Sequence, residues 1–419
     1  MNSPGGRLGI VADDLTGGAA IGAEAARLGN PVDVVRIGQP VPPKRSVVIE
    51  TGSRYIQSQL AAERVVEAAR LLLRSGVSVL MKKIDSTLKG NVAAELSAFA
   101  DSCPGRLLVA PSCPEMGLTV RDGRQHTPRG PGVSVLDLLS TSINGPLAAL
   151  NLNTVREGSA AVANWLRQNP HGTVLADAET DADLAAIALG AAEAKIVSFA
   201  GTYGLGAALA GTFLPSGTAP RFTRPALDGM IVVAGSASAT TASQISHLVA
   251  AGAEEIVLDM ERILTGGAEE EARRAASQIL SSAAKLLVVH TAAERTGKDV
   301  ADHCRRLGWN ERDLANLLAI PFASALHAAP GYAAYFIGGE TTGAVFEKLG
   351  LDSLVIHGEC SPAVPFAMST APSGWPLILT KPGAFGSENT LTETAGTLLR
   401  HDSGATPVGA ADNRHPSIR

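Results

Sequence analysis

Short apolar runs alternate with longer stretches whose apolar positions recur at three and four residues. RLGIVA (7–12) predicts a strand, and AIGAEAARLG (20–29) a helix that stops at glycine. PVDVVRIG and SVVIETGSR predict two more strands. In IQSQLAAERVVEAARLLLRSG (56–76), helical spacing puts Leu60, Ala61, Val65, Ala68, Ala69 and Leu72 on one face. SVLMKKID and RLLVAPSC predict strands with a helix between them. Strands alternating with helices imply a mostly parallel sheet covered on both faces.

Residues 114–135, PEMGLTVRDGRQHTPRGPGV and its flanks, break this rhythm. Asp122-Gly123 is a hairpin signal, and the stretch reads as an irregular excursion over the sheet edge. The rhythm resumes with GTVLADAE, a helix from about Asp181 and KIVSFAGT. PSGTAPRFTRPAL (215–227) reads as a linker. A second series follows: GMIVVAGSAS, TASQISHLVAAG, EEIVLD, a helix near 267–283, KLLVVHT, and two strands that break into glycine turns, YFIGGETTG and PLILTKPGAFG. The expectation is α/β: two Rossmann-like domains with mostly parallel sheets flanked by helices. They span residues 1–220 and 228–402, with 403–419 a disordered tail.

Composition narrows the classes. At 419 residues the chain is longer than one core usually serves. Aromatics are 4 % and the net charge is −5, which speaks against nucleic acid as a partner. No apolar run is long enough to predict a membrane span, and the N-terminus has no secretory h-region. Cys103, Cys113, Cys304 and Cys360 form no metal spacing. They read as reduced thiols of a cytoplasmic protein.

In open α/β sheets, ligands sit beyond the C-terminal ends of strands. The first such end is Asp13-Asp14-Leu15-Thr16. A carboxylate here can accept a proton from a hydroxyl or help hold Mg²⁺; equally, Asp14 or Thr16 can cap the next helix. Phosphatases of the DxD type space their carboxylates two apart, whereas these are adjacent. Lys82-Lys83, with Asp85 and Ser86, forms a second end suited to an anion; a solvated lysine pair is the alternative. Arg54 is a third strand-end cation. Together they predict a pocket for a small hydroxylated acid.

The second series offers AGSASATT (234–241), IGGETTG (337–343) and KPGAFG (381–386). Small residues let backbone N–H groups approach phosphate oxygens. None of the three is a Walker loop, and Gly204-Leu205-Gly206 lacks the third glycine of a dinucleotide fingerprint. His126 and His290 lie at no metal spacing and read as structural.

The ordered succession GIVADDLTGGAA, KKIDSTLKGN, PSCPEMGLTVRDG, DAETDADL, AGSASATTASQ, GGETTG and KPGAFG resembles the four-carbon acid sugar kinase family over nearly the whole chain to about residue 400. The resemblance implies an N-terminal sugar-acid-binding domain and a C-terminal nucleotide-binding domain. It implies ATP-dependent phosphorylation, with Mg²⁺, of the terminal hydroxyl of a threonate, erythronate or 3-oxo-tetronate. On the matching motifs, Asp13, Asp14, Arg54, Lys82, Lys83, Asp85 and Ser86 would contact the acid, with Asp13 or Asp14 catalytic. Ser236 and Ser238 would contact ATP, with Gly338, Gly339, Glu340 and Thr341. So would Lys381, Pro382, Gly383, Ala384, Phe385 and Gly386. The expected partners are the sugar acid and ATP, with a second copy of the chain in a homodimer.

The chain departs from the family pattern at Gly18-Ala19-Ala20, where a carboxylate is usual, at Lys89, where arginine is usual, and in PSCPEMGLTV. Two other readings follow from the same residues: a phosphatase or lyase on a sugar-acid phosphate, with the lysine pair on phosphate, and a silent sugar-acid sensor, motivated by Ala20.

Overall fold

The computed structural model describes residues 6–217, 222–370 and 375–399. The expected tail at 403–419 and part of the expected linker fall outside these residues.

Two parallel blocks make up the fold. In the first, eight strands run parallel in the order Val32–Arg36, Ser46–Glu50, Leu8–Ala12, Val79–Lys83, Ser198–Gly201, Leu107–Ala110, Thr173–Ala176 and Leu147–Leu150. Most are buried on both faces and correspondingly apolar, as helix-covered parallel strands must be. In the second, Glu254–Val257, Leu286–His290, Met230–Ala234, Ala333–Ile337 and Leu377–Lys381 are parallel.

The blocks are not separate sheets. A hairpin of Ser353–Ser361 and Val364–Ser369 joins them: Val364–Ser369 pairs antiparallel with Leu377–Lys381, and Ser353–Ser361 pairs antiparallel with Val32–Arg36. Among the described residues this makes one sheet of fifteen strands. Local pattern predicts neither hairpin strand, because Gly358 interrupts the first and Pro365 the second, Pro362 lies in the turn between them, and the register shifts after Ile356 and Glu359.

The first helix, Leu15–Arg27, crosses this seam and packs on both hairpin strands. Its small residues permit the approach. A β-carbon on Gly22 would lie 2.7 Å from Ile356 Cδ1. The helix starts earlier than expected because Asp14 caps it, its Oδ2 accepting from Gly17 N–H.

Helix Ser58–Arg74 buries Ala61, Val65, Ala68, Ala69 and Leu72 as its periodicity predicts. Leu60 is exposed instead, on the first turn and a hundred degrees off that stripe. Helices Asp181–Glu193 and Ala268–Ser281 form where expected. Thr180 and Asp183 close a capping box on the former.

Residues 119–134 are not irregular. They form a three-stranded antiparallel sheet. Asp122 and Gly123, both at positive φ, make its first turn, and the Asp177 carboxylate holds it by accepting from both their N–H groups. The four cysteines are free thiols. No helix of the described residues is long and apolar enough to cross a membrane.

Candidate functional site

Strand Leu8–Ala12 ends by delivering Asp13 and Asp14 into a nearly dry site; both are buried. Arg54, at the end of the neighbouring strand, grips both carboxylates. Its Nε donates to Asp13 Oδ2 at 2.7 Å and its Nη2 to Asp14 Oδ1 at 2.8 Å. Its Nη1 lies 3.5 Å from Asp85 Oδ2. Lys83 Nζ sits 3.7 Å from Asp13 Oδ1 and 3.6 Å from Asp14 Oδ1.

Burial alone would raise the Asp13 carboxyl, but Arg54, Lys83 and Lys82 outweigh it and hold the group well below the usual carboxylate range. Asp14 is lowered in the same way, burial again being overcome by Arg54 and Lys83. The two aspartates differ in what remains open. Asp14 Oδ2 is taken by Thr16 Oγ1, at 2.8 Å, and by the helix N-terminus. Asp13 Oδ1 is buried and accepts no hydrogen bond.

The two lysines part company. Successive strand residues face opposite sides of a sheet, so only Lys83 shares the aspartates' side. Lys82 is fully buried on the other, 3.0 Å from Glu95 Oε2. Its Nζ also donates to the Lys83 carbonyl at 2.8 Å. Glu95 Oε1 in turn accepts from Ser53 Oγ, which is 2.7 Å from Thr51 Oγ1. Thr51 Oγ1 donates to the Ala12 carbonyl at 2.8 Å. This chain of bonds ties the Arg54 loop to the Asp13 strand. Sequence reasoning missed Glu95, which looks like any acidic position of helix Val92–Ser102.

Asp85 folds its own turn, Oδ1 accepting from Thr87 N–H at 2.9 Å, while its Oδ2 faces Arg54. The Ser86 carbonyl accepts from Gln125 Nε2 at 2.8 Å, so the small antiparallel sheet is anchored beside the site. Of the two histidines, His290 is buried at a strand end. Its Nδ1 accepts from Ala292 N–H and its Nε2 meets Glu255 Oε1 at 2.8 Å.

The three glycine-containing loops of the second block converge. Ala234, Ile337 and Lys381 end neighbouring, in-register strands. Ser236 lies between the other two loops: a β-carbon on Gly338 would touch Ser236 Cβ at 3.4 Å, and one on Gly383 would overlap Ser236 Oγ. Ser238 N–H donates to Ser236 Oγ at 3.2 Å. A β-carbon on Gly235 would overlap Thr341 Oγ1. Close packing, not only turning, is what these glycines supply.

The Lys381 side chain does not project outward. Its Nζ donates to the carbonyls of Pro382, Gly383 and Phe385, at 2.9, 3.3 and 3.0 Å, and so holds the loop through Ala384 from within. Burial pushes this ammonium down to about 7. Gln244 Nε2 adds bonds to the Phe385 and Ser387 carbonyls. Gly386, at φ 87°, lets the loop leave. The Phe385 ring meets Tyr203 of the first block edge-on, with centroids 5.8 Å apart.

Both blocks present a helix N-terminus, and the two meet. Helix Gly339–Leu349 begins against Asp14: a β-carbon on Gly339 would overlap Asp14 Oδ2 and lie 3.1 Å from Thr16 Oγ1. Helix Glu311–His327 closes the flank. The Nδ2 of its cap, Asn310, donates to the Tyr55 carbonyl, next to Arg54, at 3.2 Å. Arg312 Nη2 bonds Glu347 Oε2 at 2.7 Å, and Glu347 also pairs with Arg36 of the first block. Asn310 and Arg312 carried no signal in the sequence, since nothing local says that this helix reaches the other block.

Such an arrangement can hold an anionic, hydroxylated ligand at the charged strand ends and phosphate at the backbone-rich ones, with the two in contact. The description "Sugar-binding N-terminal domain" matches residues 8–209, and "Nucleotide-binding C-terminal domain" matches residues 231–391. A D-threonate kinase of Cupriavidus necator is 32 % identical over 91 % of this chain and 95 % of its own length. A 3-oxo-tetronate kinase of Methylobacterium radiotolerans is 30 % identical over 90 % and 96 %. A solved Haemophilus influenzae structure shares the fold, with a TM-score of 0.69, 21 % identity, and coverage of 94 % of this chain and all of that one. The chain belongs to the four-carbon acid sugar kinase family.

Proposed function

We propose that the protein is a kinase that moves the γ-phosphoryl group of ATP to the terminal hydroxyl of a four-carbon sugar acid. Relatives named for D-threonate and 3-oxo-tetronate support the substrate class. The observation that carries the reading is the close approach of Gly339, at the start of a glycine-led helix, to Asp14, whose neighbour is Asp13. A phosphoryl group held by that helix N-terminus lies beside carboxylates that can orient a hydroxyl.

In this reading the aspartates divide the work. Asp13 Oδ1, buried with an open lone pair, accepts the hydroxyl hydrogen bond. Asp14 holds the helix and Arg54 in place. A carboxylate so far lowered is a weak base but a good acceptor. That suffices, because phosphoryl transfer rests on positioning and charge neutralisation more than on early proton removal. Lys83 and Arg54 supply positive charge for the acid's carboxylate. Lys82 serves from behind, through Glu95 and Ser53. Loops 235–238, 338–341 and 381–386 face the nucleotide with the backbone N–H groups that remain once those of Ser238, Gly338 and Phe385 have bonded within the loops. Magnesium enters with ATP as part of that substrate; among the described residues no group of three or more His, Cys, Asp or Glu side chains forms a cage for it.

The test is ADP release by the purified protein with MgATP across D- and L-threonate, D- and L-erythronate and their oxo forms. Acid-dependent release is expected. Hydrolysis of sugar-acid phosphates without ATP would replace this reading with a phosphatase. Ligand-induced stabilisation without any turnover would replace it with a sensor.

A further inference from the structure

Glu340 is the one acidic side chain that helix Gly339–Leu349 brings up near Asp14. It is the helix's second residue, and its side chain is only 15 % exposed. Its ionic partner is Arg312, Nη1 to Oε2 at 3.8 Å. Among the described residues it accepts no hydrogen bond.

The groups that face it come from several elements. Arg54 and Asp14 belong to the charged strand ends, and Glu50 ends strand Ser46–Glu50. Arg312 comes from helix Glu311–His327. Burial raises the Glu340 carboxyl, Asp14 and Glu50 add to the rise, and Arg54 and Arg312 oppose it; the balance lies at about 7.

An ionised carboxylate has no donor and repels a triphosphate. A neutral carboxyl has one O–H, and it tolerates an anion beside it. A role in steadying the helix dipole alone would favour an ionised, solvated group, and Glu340 is neither exposed nor held by a capping bond.

We propose that the Glu340 side chain reads the sugar acid, while the backbone of its loop serves the nucleotide: in its neutral form the side chain donates a hydrogen bond to an oxygen of the acid, so that the acid is recognised partly by a residue of the nucleotide-binding half. The inference rests on the kinase reading and sharpens it. It makes acid recognition depend on the two halves being together. It also gives a sign to the pH dependence. Below about 7 the donor is present. As pH rises through that value the donor is lost and a negative charge appears beside an anion. Affinity for the acid therefore falls as pH rises.

The experiment measures KM for the acid and for MgATP, separately, from about pH 6 to about pH 9. In the native enzyme the acid KM should rise about tenfold across this range; the MgATP KM carries the separate titration of Lys381, and Glu340→Gln should leave that profile as it is in the native enzyme. Glu340→Gln keeps a donor at every pH, so its acid KM should be low and flat. Glu340→Ala should raise the acid KM about tenfold at low pH and leave calorimetric binding of a non-hydrolysable ATP analogue unchanged, which also shows the variant folded. A raised MgATP KM with an unchanged acid KM in either variant would overturn the proposal. So would a native-like pH profile in Glu340→Gln. A native enzyme with no acid-dependent ADP release would overturn this proposal and the kinase reading together.

Discussion

The strand ends of the sugar-binding half carry Asp13, Asp14, Arg54 and Lys83, and their chemistry is in the side chains. Those of the nucleotide-binding half carry Ser236, Gly338, Gly339 and Gly383, and there the side chains have been cleared away. On the proposed function, the difference follows from the ligands. A small acid with hydroxyls needs directional donors and acceptors at several points, so charged groups are held rigid by one another. A triphosphate presents oxygens on all sides, so backbone N–H groups and close approach serve it best. In the first half a substitution should therefore act by changing charge, and in the second by adding bulk.

The largest break in that comparison should come from Asp13→Asn. It keeps shape and removes an acceptor, and kcat is expected to fall about 10²–10⁴-fold in the ADP-release assay, with the circular dichroism unchanged. Next is Lys82→Met, which strands the Glu95 carboxylate in the core. Chemical denaturation should show a loss of roughly 3–5 kcal/mol. Lys83→Met, one residue along, leaves Arg54 on both aspartates and should therefore cost less stability than Lys82→Met, and it should raise the acid KM about tenfold, which Lys82→Met should not do directly. Equal behaviour of the two lysine variants would refute their assignment to opposite faces.

Gly339→Ala sharpens the other side. Helix propensity alone predicts a gain of up to about 1 kcal/mol. The overlap with Asp14 predicts instead a loss of about 1–3 kcal/mol and a fall in kcat, with no charge altered. Lys381→Met removes the donors that hold 382–385 in shape, and should raise the MgATP KM by about tenfold and leave the acid KM alone. The smallest effect is expected for Lys89→Arg. The residue is exposed, and thermal melting and turnover should both change by less than about 0.5 kcal/mol in equivalent terms.

Much of this site was legible because strand ends are punctuated. An apolar run that stops at Asp13-Asp14, at Arg54 or at Gly338 announces where a ligand belongs, and alternation fixes which residues share a face. By that same alternation Lys82 and Lys83 could not both face the acid, though composition alone treats them as a pair. Glu95 was hidden because one buried carboxylate in a helix has no local mark; only its partner's burial reveals it. The hairpin 353–369 was missed because its strands are irregular and their partners lie far away in sequence. The Asn310 and Arg312 contacts depend on how the blocks dock, which no local pattern encodes.

The seam between the blocks also sets a condition on synthesis. Strand Val32–Arg36 waits for Ser353–Ser361, and Leu354 pairs with Val34 across more than three hundred residues. Until that partner emerges from the ribosome, the earlier strand has an open edge, a ready template for another copy's strand. The strand has its own protection during that interval. Asp33, gripped by Arg45, and Arg36 place charge along the exposed rung. Charge is a poor guest in an intermolecular ladder. The ion pairs on that strand thus discourage the wrong partner until the right one has been made.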